Sequence, residues 1–322
     1  MKKNIKTAEG KLTPDDIATG STIAAIMNMN PYQDAVDILK RAFDATEGIP
    51  RPELDFEALH WGTAFEVPIL HEACNRLGLG DPKTTFKKAF FSEHYPMAVS
   101  LDGMVAGRGK TLQTDYEKGI IVYGHEGIKL TGQGVIEAKL TSQELEQDLP
   151  YYRGRLQLQM AMDIVDAQWG AVAVLHKGIK LMIHVFPRDV DTMAMIRDAA
   201  VDFDRRVQKY VTNQETEWYE FKSPKSAAKI YDRATDDEID LSDITQDIEY
   251  IVENQDQIHA LQEETDHLQA RVMARMGDYK HARAGHYKIV WGERTYKPTP
   301  EKVIPAKPGN TIRLSKIKIK EI

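Results

Sequence analysis

The stretch Gly134-Val135-Ile136-Glu137-Ala138-Lys139 ends a short apolar run with a carboxylate and an ammonium group. Side chains alternate between the two faces of a β-strand, so Glu137 and Lys139 are expected on one face. Upstream, Met97-Ala98-Val99 leads into Ser100-Leu101-Asp102-Gly103, which places a second carboxylate where another strand turns into a loop. Carboxylates that bind a divalent metal, beside an ammonium group that activates water, are typical of phosphodiester hydrolysis.

Further polar side chains accompany this pattern on predicted helices. Glu66 ends Trp61-Gly62-Thr63-Ala64-Phe65-Glu66 and is either a third acidic group of the site or part of an exposed helix face. Downstream, a helix start carries aromatic, basic and amide side chains that would either line the site or simply pack as an amphipathic helix. These side chains are Tyr152, Arg153, Arg155 and Gln157, with the arginines as candidate phosphate ligands and Gln157 as a hydrogen-bond partner of Lys139 or the scissile phosphate.

The donor set favours a hard divalent metal ion. We expect Asp102 and Glu137 to be the principal ligands, with the Ala138 carbonyl and the Glu66 carboxylate completing the set. Oxygen ligands without cysteine suit Mg²⁺ or Mn²⁺. Lys139 would orient or deprotonate the attacking water and offset the developing charge. Alternatively, the Glu-x-Lys pattern has no catalytic role, and both side chains simply face solvent from an exposed strand.

Composition excludes several other classes of protein. The chain has 322 residues, of which 42% are hydrophobic and 28% charged, as in a soluble globular protein with a sizeable core. It has no apolar run that could span a bilayer and no apolar stretch near its start, which predicts a cytosolic protein. The single cysteine, Cys74, excludes an internal disulfide and a cysteine-ligated cluster. A net charge of −7 disfavours general coating of nucleic acid but allows a local basic channel.

The order of periodic segments predicts an α/β protein of α+β type, with a mixed central sheet flanked by helices. Helices are expected at 13–30, 34–47, 56–77, 143–164, 189–210 and 243–276. Strands are expected at 86–91, 97–101, 119–123, 128–130, 135–140, 169–175, 180–187, 286–291 and 311–318. A rise in charge near 223 predicts a core domain at 1–222 and a C-terminal appendage at 223–322, with a long helix and a terminal strand pair.

The long polar helix of the appendage carries a thin apolar seam. Such a seam favours a coiled-coil-like hairpin or a partner helix. Its members are Ile244, Ile248, Ile251, Ile258, Leu261, Leu268 and Val272.

Taken in order, these motifs resemble the PD-(D/E)xK nucleases, whose core is restriction-endonuclease-like. Within them, the chain is similar to the YqaJ-like viral recombinases, the family of phage lambda-type alkaline exonucleases. The matching segments are 20–26 with the Asn30-Pro31-Tyr32 turn, 61–66, 100–103, 136–139 and 152–160, and in the tail 276–278, 285–291 and Arg313. Single motifs are weak, but their order along most of the chain is specific.

The resemblance implies a metal-dependent exonuclease that digests linear double-stranded DNA 5′→3′ and leaves 3′ single-stranded overhangs for phage-type homologous recombination. It implies a single-strand annealing protein as partner and a homo-oligomer, since some relatives form ring-shaped trimers. A phage or prophage protein of this kind would act in the bacterial host cytoplasm. Ser21 matches a position near the 5′-phosphate pocket of the family, or else is an ordinary helix serine.

The chain departs from the family pattern at three places. Arg155 replaces the first glutamine of a Gln-x-Gln motif, so that role falls on Gln157 or Arg155 acts differently. Lys11 is the nearest basic residue where an arginine often precedes the opening motif, which puts 5′-phosphate binding in doubt. Residues 104–133 form a longer insertion, expected to be an extra hairpin that contacts DNA or a neighbouring subunit.

Two other functions remain open from the sequence. The first is an endonuclease or repair nuclease of the same superfamily. The second is a catalytically silent module that binds DNA ends, which the retention of Glu66, Asp102, Glu137 and Lys139 disfavours.

Overall fold

The computed structural model describes residues 13–50, 57–124, 126–144, 148–231 and 233–293. The chain divides into two compact units, Met1–Ser226 and Ala227–Ile322. The first unit contains the central sheet, its flanking helices and every predicted site residue.

Helices alternate with short strands along the first unit. The helices up to Ile230 are α1 (Ile23–Ile26), α2 (Ala35–Thr46), α3 (Glu57–Leu77), a π-helical turn (Tyr151–Arg155) continued by α4 (Leu156–Ile164), α5 (Val190–Asn213) and α6 (Pro224–Ile230). Two of them begin at aspartate caps: the Asp34 carboxylate accepts from the Asp37 N–H at 2.9 Å, and the Asp189 carboxylate accepts from the Thr192 N–H at 3.1 Å. These caps satisfy backbone donors that the first turn of a helix leaves without partners.

The strands of this unit fall into one main sheet and two small ones. They are β1 (Ala18–Thr19), β2 (Phe90–Phe91), β3 (Met97–Val99), β4 (Gly103–Ala106), β5 (Thr111–Leu112), β6 (Ile120–Val122), β7 (Ile128–Lys129), β8 (Gln133–Thr141), β9 (Trp169–His176) and β10 (Lys180–Pro187). The main sheet has the order β4-β8-β9-β10-β6, with β4–β8 and β9–β10 antiparallel and β8–β9 and β10–β6 parallel. The predicted α+β class with a mixed central sheet is confirmed.

Helices cover both faces of the main sheet. On one face, Ile136 packs in the apolar cluster that includes Leu70 and Leu77 of α3. On the other face, Val135 and Val172 pack in the cluster that includes residues of α1, α2, α4 and α5. Because alternate residues share a face, Glu137 and Lys139 lie on the same side as Val135, towards α4.

The insertion at 104–133 does more than form the predicted hairpin. Its strands β5 and β7 pair with each other in a small antiparallel sheet. Between them, β6 joins the edge of the main sheet beside β10, with Ile120 opposite Ile183. The insertion therefore adds a strand to the central sheet as well as a two-stranded extension.

Two of the predicted helices are shorter in the structure than the sequence indicates. Only Ile23–Ile26 of the segment 13–30 is helical, because Ala18–Thr19 pairs with β3 and because Thr22 bonds locally to Thr19 instead of continuing a helix. The helix predicted over 143–164, with Pro150 as its start or as a kink, begins at Tyr151 among the described residues, directly after Pro150 in an extended conformation.

The second unit consists of a long helix followed by a hairpin. A 3-10 turn (Ser242–Ile244) leads into α7 (Thr245–Met276), and β11 (His281–Ala284) pairs with β12 (Tyr287–Val290). The predicted C-terminal helix is thus present, and β12 lies within the strand predicted at 286–291. Its partner is β11, which the sequence did not predict, and the predicted partner at 311–318 lies outside the described residues. Over the described ranges, no helix combines the length and apolar character needed to cross a bilayer.

A buried histidine on β10 predicts how stability depends on pH. His184 is 3% exposed, and burial, aided by the nearby His176, lowers its pKa to about 4. Because the folded state holds this imidazole neutral, its contribution to stability is present above pH 6.5 and is lost as pH falls from 6.5 towards 4. The expected loss is about 3 kcal/mol in the free energy of unfolding.

Urea unfolding of the parent and of His184→Gln at several pH values tests this expectation. The variant should lose the part of the pH dependence that lies between pH 4 and 6.5. His60→Gln, at an exposed position on α3, is the matched control and should keep the parent profile. Identical pH profiles for the parent and His184→Gln would contradict the assignment.

Candidate active site

Strand β8 presents an acidic and a basic side chain side by side. The Glu137 carboxylate is buried, with 1% of the residue exposed, and its Oε1 accepts a hydrogen bond from Lys139 Nζ at 2.5 Å. The residues occupy alternate positions of the strand, so both side chains project towards α4. Parallel pairing with β9 sets Glu137 opposite Val172 and Lys139 opposite Val174, which fixes the backbone beneath them.

Asp102 stands where the pairing of β4 with β8 ends. The last pair in the register is Gly103 with Ile136, and beyond it the Asp102 carboxylate takes the place of a backbone acceptor. Its Oδ2 accepts from the Ala138 N–H at 2.9 Å. Asp102, 35 positions before Glu137 in the sequence (137 − 102), thereby bonds to the peptide unit that follows Glu137.

A side chain from α4 completes the contacts of the lysine. Lys139 Nζ donates to Gln157 Oε1 at 3.1 Å, in addition to its bond to Glu137. Gln157 lies in the first turn of α4, which the crossover from β8 to β9 lays across this face of the sheet. The ammonium group is therefore held between a carboxylate and an amide oxygen.

Four charged side chains interact electrostatically at this end of the sheet: Glu66, Asp102, Glu137 and Lys139. Burial, followed by the charge of Asp102, raises the pKa of Glu137 well above its ordinary value. Burial lowers the pKa of Lys139, but the Glu137 and Asp102 carboxylates outweigh this and raise it overall. Burial and the Asp102 charge also raise the pKa of Glu66 on α3. The Asp102 charge thus opposes ionisation of both glutamates, as expected for a site short of positive charge.

The residues fit a divalent metal ion of the Mg²⁺ type. Asp102 and Glu137 repel each other in a buried environment, and a cation between them would relieve that repulsion. Mg²⁺ commonly binds through one or two carboxylates and keeps several waters. Across the described ranges, no three His, Cys, Asp or Glu side chains form a group able to hold a metal ion. Direct ligation by Glu66 and by the Ala138 carbonyl stays a prediction.

Gly154 lies against the two side chains of β8. It has a φ of +91° inside the π-helical turn, a conformation that favours glycine. A Cβ atom here would lie 3.2 Å from Lys139 Cε and 3.5 Å from Glu137 Cγ. Gly154 is not among the site residues predicted from the sequence, although an isolated glycine in a helical pattern is a signal of such a position.

The two arginines beside Gly154 face different surroundings. Arg153 donates to Thr141 Oγ1 at 2.8 Å and also to the Gln143 side chain. The Arg155 guanidinium packs over the Tyr151 ring, 4.3 Å from its centroid, and lies near the Phe186 and Tyr123 rings. The glutamine contact to Lys139 comes from Gln157, while Arg155 joins an aromatic cluster.

The remaining predicted DNA-binding residues flank this cluster of side chains. Tyr152 meets Tyr32 edge to face, with ring centroids 5.8 Å apart. Ser21 is exposed, and its hydroxyl lies 3.2 Å from that of Thr19. Its neighbour Gly20 approaches α4 closely, since a Cβ atom there would lie 3.0 Å from Gln157 Cγ.

The chain matches one protein-family model and is distantly similar to several solved structures. LHK-Exo in complex with dAMP is 14% identical, with a TM-score of 0.46, covering 69% of this chain and all of that one. The alkaline exonuclease LHK-Exo from Laribacter hongkongensis is 14% identical, with a TM-score of 0.44, covering 67% of this chain and 96% of that one. A phage related exonuclease from Haemophilus somnus 129PT is 10% identical, with a TM-score of 0.35, covering 61% of this chain and 96% of that one.

No curated protein matches the chain significantly. The model of the YqaJ-like viral recombinase domain matches residues 11–171, which is half of the chain and includes every predicted site residue. Within the matched residues, Glu137 and Lys139 lie on β8, Asp102 directly precedes β4 and Glu66 lies on α3. The chain therefore belongs to the YqaJ-like viral recombinase domain family.

Proposed function

We propose that this protein is a metal-dependent exonuclease that degrades one strand of linear double-stranded DNA from its 5′ end. The remaining 3′ overhang would serve a single-strand annealing partner in phage-type recombination. The convergence of Asp102, Glu137, Lys139 and Gln157 at one end of β8 is the observation that supports this most strongly. Family membership supports the choice of DNA as the substrate.

Each side chain has a role that follows from its contacts. Asp102 and Glu137 would hold Mg²⁺ or Mn²⁺, with the Ala138 carbonyl and Glu66 as further oxygen donors. When bound, such an ion neutralises phosphate charge and makes water a better nucleophile. Lys139 is fixed by Glu137 and Gln157, so its ammonium can orient the attacking water and stabilise negative charge on the phosphate.

The DNA path is part of the same proposal. Ser21 is exposed and Tyr152 is half-buried beside Tyr32, and both would contact the DNA strand. Arg153 and Arg155 supply positive charge next to the site. The Arg155 guanidinium also packs on its aromatic neighbour Tyr151. Arginine and backbone contacts to phosphate position DNA without reading its sequence.

Digestion of defined DNA substrates tests the proposal. With Mg²⁺, the purified protein should degrade linear duplex and spare covalently closed circles, because it needs an end. A duplex labelled at each end in turn, with and without a 5′ phosphate, reports the direction of digestion, which should start at the 5′ end. A chelator should stop the reaction, and Mn²⁺ should restore it. Prompt cutting of closed circles would instead indicate an endonuclease.

Substitution of Glu137 separates catalysis from folding. Glu137→Gln keeps the shape of the side chain but removes a charge that burial and Asp102 oppose. The variant should unfold at the same or a higher temperature than the parent, while exonuclease activity falls by about 100-fold or more. Thermal melting and digestion of end-labelled duplex measure the two effects.

Lys139→Ala should lose activity to a similar degree. Lys180→Ala, at an exposed position on β10, is the matched control and should retain parental activity. Full activity in Glu137→Gln or in Lys139→Ala would refute the assignment of the site.

Gly154 should matter through its contact with the catalytic pair. Gly154→Ala places a methyl group against Lys139 and Glu137 in addition to straining the backbone. We expect kcat to fall by about 10-fold or more with little change in KM, because a small misplacement of catalytic groups costs rate. Gly178→Ala is the matched control, since Gly178 has a φ of +71° and nothing within 4 Å of the added Cβ atom. Equal losses of kcat in both variants would assign the effect to backbone strain alone.

A further inference from the structure

The sign of the charge reverses within the second unit. Residues 245–270, the larger part of α7, carry seven acidic side chains and neither lysine nor arginine. Residues 271–322 carry 13 basic and 4 acidic side chains, a net charge of +9 (13 − 4), although the whole chain has a net charge of −7. A strongly basic segment in an acidic protein indicates a surface that binds a polyanion.

The described part of this basic segment contains two pairs of neighbouring cations. Arg271 and Arg275 are one turn apart on α7, and Arg283 on β11 lies directly opposite Lys288 on β12. Like charges at such positions destabilise a helix or a hairpin. The helix dipole favours a cation in the last turn of α7, which accounts for Arg275 but not for the pair on the hairpin.

These cations are available to a ligand. All four side chains are exposed, and among the described residues none of them forms an ion pair. A groove of about 850 Å³ runs between the end of α7 and the hairpin, and Arg271, Arg275 and Arg283 line it. Positive charge therefore faces the groove from both elements, and an anionic ligand would relieve the repulsion within each pair.

Aromatic side chains lie beside the cations. Tyr279, Tyr287 and Trp291 are 76%, 65% and 43% exposed. The Trp291 N–H donates to the Lys280 carbonyl at 2.9 Å, which continues the pairing of β11 with β12. Tyr287, Ile289 and Trp291 therefore share one face of the hairpin, and Ile289 of that face lines the groove.

The combination of rings and cations favours unpaired nucleotides. Proteins bind single-stranded nucleic acid by stacking bases on aromatic rings and by holding the phosphates with basic side chains. In a duplex the bases stack on one another, so their faces are not offered to a protein ring. Exposed rings next to cations thus fit a single strand better than a duplex.

We propose that the basic end of the second unit binds single-stranded DNA. The two cation pairs hold phosphates, and the rings of Tyr287 and Trp291 stack on bases. The choice of DNA among polyanions rests on the proposed function, which leaves a single strand as its product. The acidic part of α7 repels the strand and so limits the binding surface to this end of the unit.

Fluorescence anisotropy with a labelled 20-nucleotide oligo-dT tests the role of the cations in the full-length protein. A chelator in the buffer prevents metal-dependent cleavage. The double variant Arg283→Ala/Lys288→Ala should raise the Kd by about 10-fold or more and reduce the dependence of log Kd on log salt by about 1.4, because each phosphate contact with a single strand contributes about 0.7. Lys177→Ala/Lys180→Ala, at exposed positions of the first unit, removes the same charge and is the matched control. An unchanged Kd in the first double variant would overturn the inference.

Substitution of the rings tests the preference for a single strand. Tyr287→Leu and Trp291→Leu should each raise the Kd for oligo-dT by about 10-fold, because a stacked base is lost, and should leave the salt dependence unchanged. The Kd for a 20-base-pair duplex should stay the same. Tyr250→Leu, at an exposed position in the acidic part of α7, is the matched control. Equal losses for both kinds of DNA would reject the single strand, and equal affinity of the parent for polyglutamate would reject DNA.

Photo-cross-linking locates the bound strand directly. Oligo-dT that carries 5-iodouracil, irradiated in complex with the parent protein, should cross-link within residues 279–291, as mass spectrometry of the digested complex would show. Absence of a cross-link in that range would overturn the inference. A protein that cross-links there but digests no DNA would instead reject the proposed function and support this inference.

Discussion

The hydrogen bond from the Ala138 N–H to the Asp102 carboxylate is the contact on which the candidate site depends. It forms where β4 stops pairing with β8, so a side chain takes over from the backbone as acceptor. A backbone donor buried in a sheet needs a partner, and Asp102 satisfies that requirement while remaining a carboxylate next to Glu137. The same bond therefore determines where one strand ends and where a candidate catalytic carboxylate lies.

The second constraint is electrostatic. Glu137 is buried among neighbours that disfavour its ionised form, and Lys139 compensates for only part of that cost. Such clusters of mutually opposed charges are found where function, rather than stability, selects the residues. The fold holds the cluster in place through rigid elements, because β8 is central in the sheet and α4 is tied to it by Gly154 and Gln157.

Much of this arrangement could be predicted from the sequence, and the exceptions have physical causes. The apolar run that ends at Glu137 predicted the strand, and the alternation of side chains along a strand predicted that Glu137 and Lys139 share a face. The helix expected over 13–30 fails because strand pairing of Ala18–Thr19 overrides local propensity. Gly154 was missed because its importance lies in a three-dimensional approach to Lys139, which no local pattern records. The stacking of Arg155 on aromatic rings distant in sequence was missed for the same reason.

The insertion has a consequence for how the molecule folds. β6 pairs with β10, so Ile120 must pair with Ile183, at a sequence separation of 63 (183 − 120), before the sheet is complete. Contacts of such long sequence separation slow folding, because loop closure costs entropy before the contact is gained. During synthesis, Asp102, Glu137 and Gln157 all emerge before β9 and β10 do. Glu137 therefore gains its pairing partner on β9, Val172, only after the residues of the acidic cluster have been synthesised.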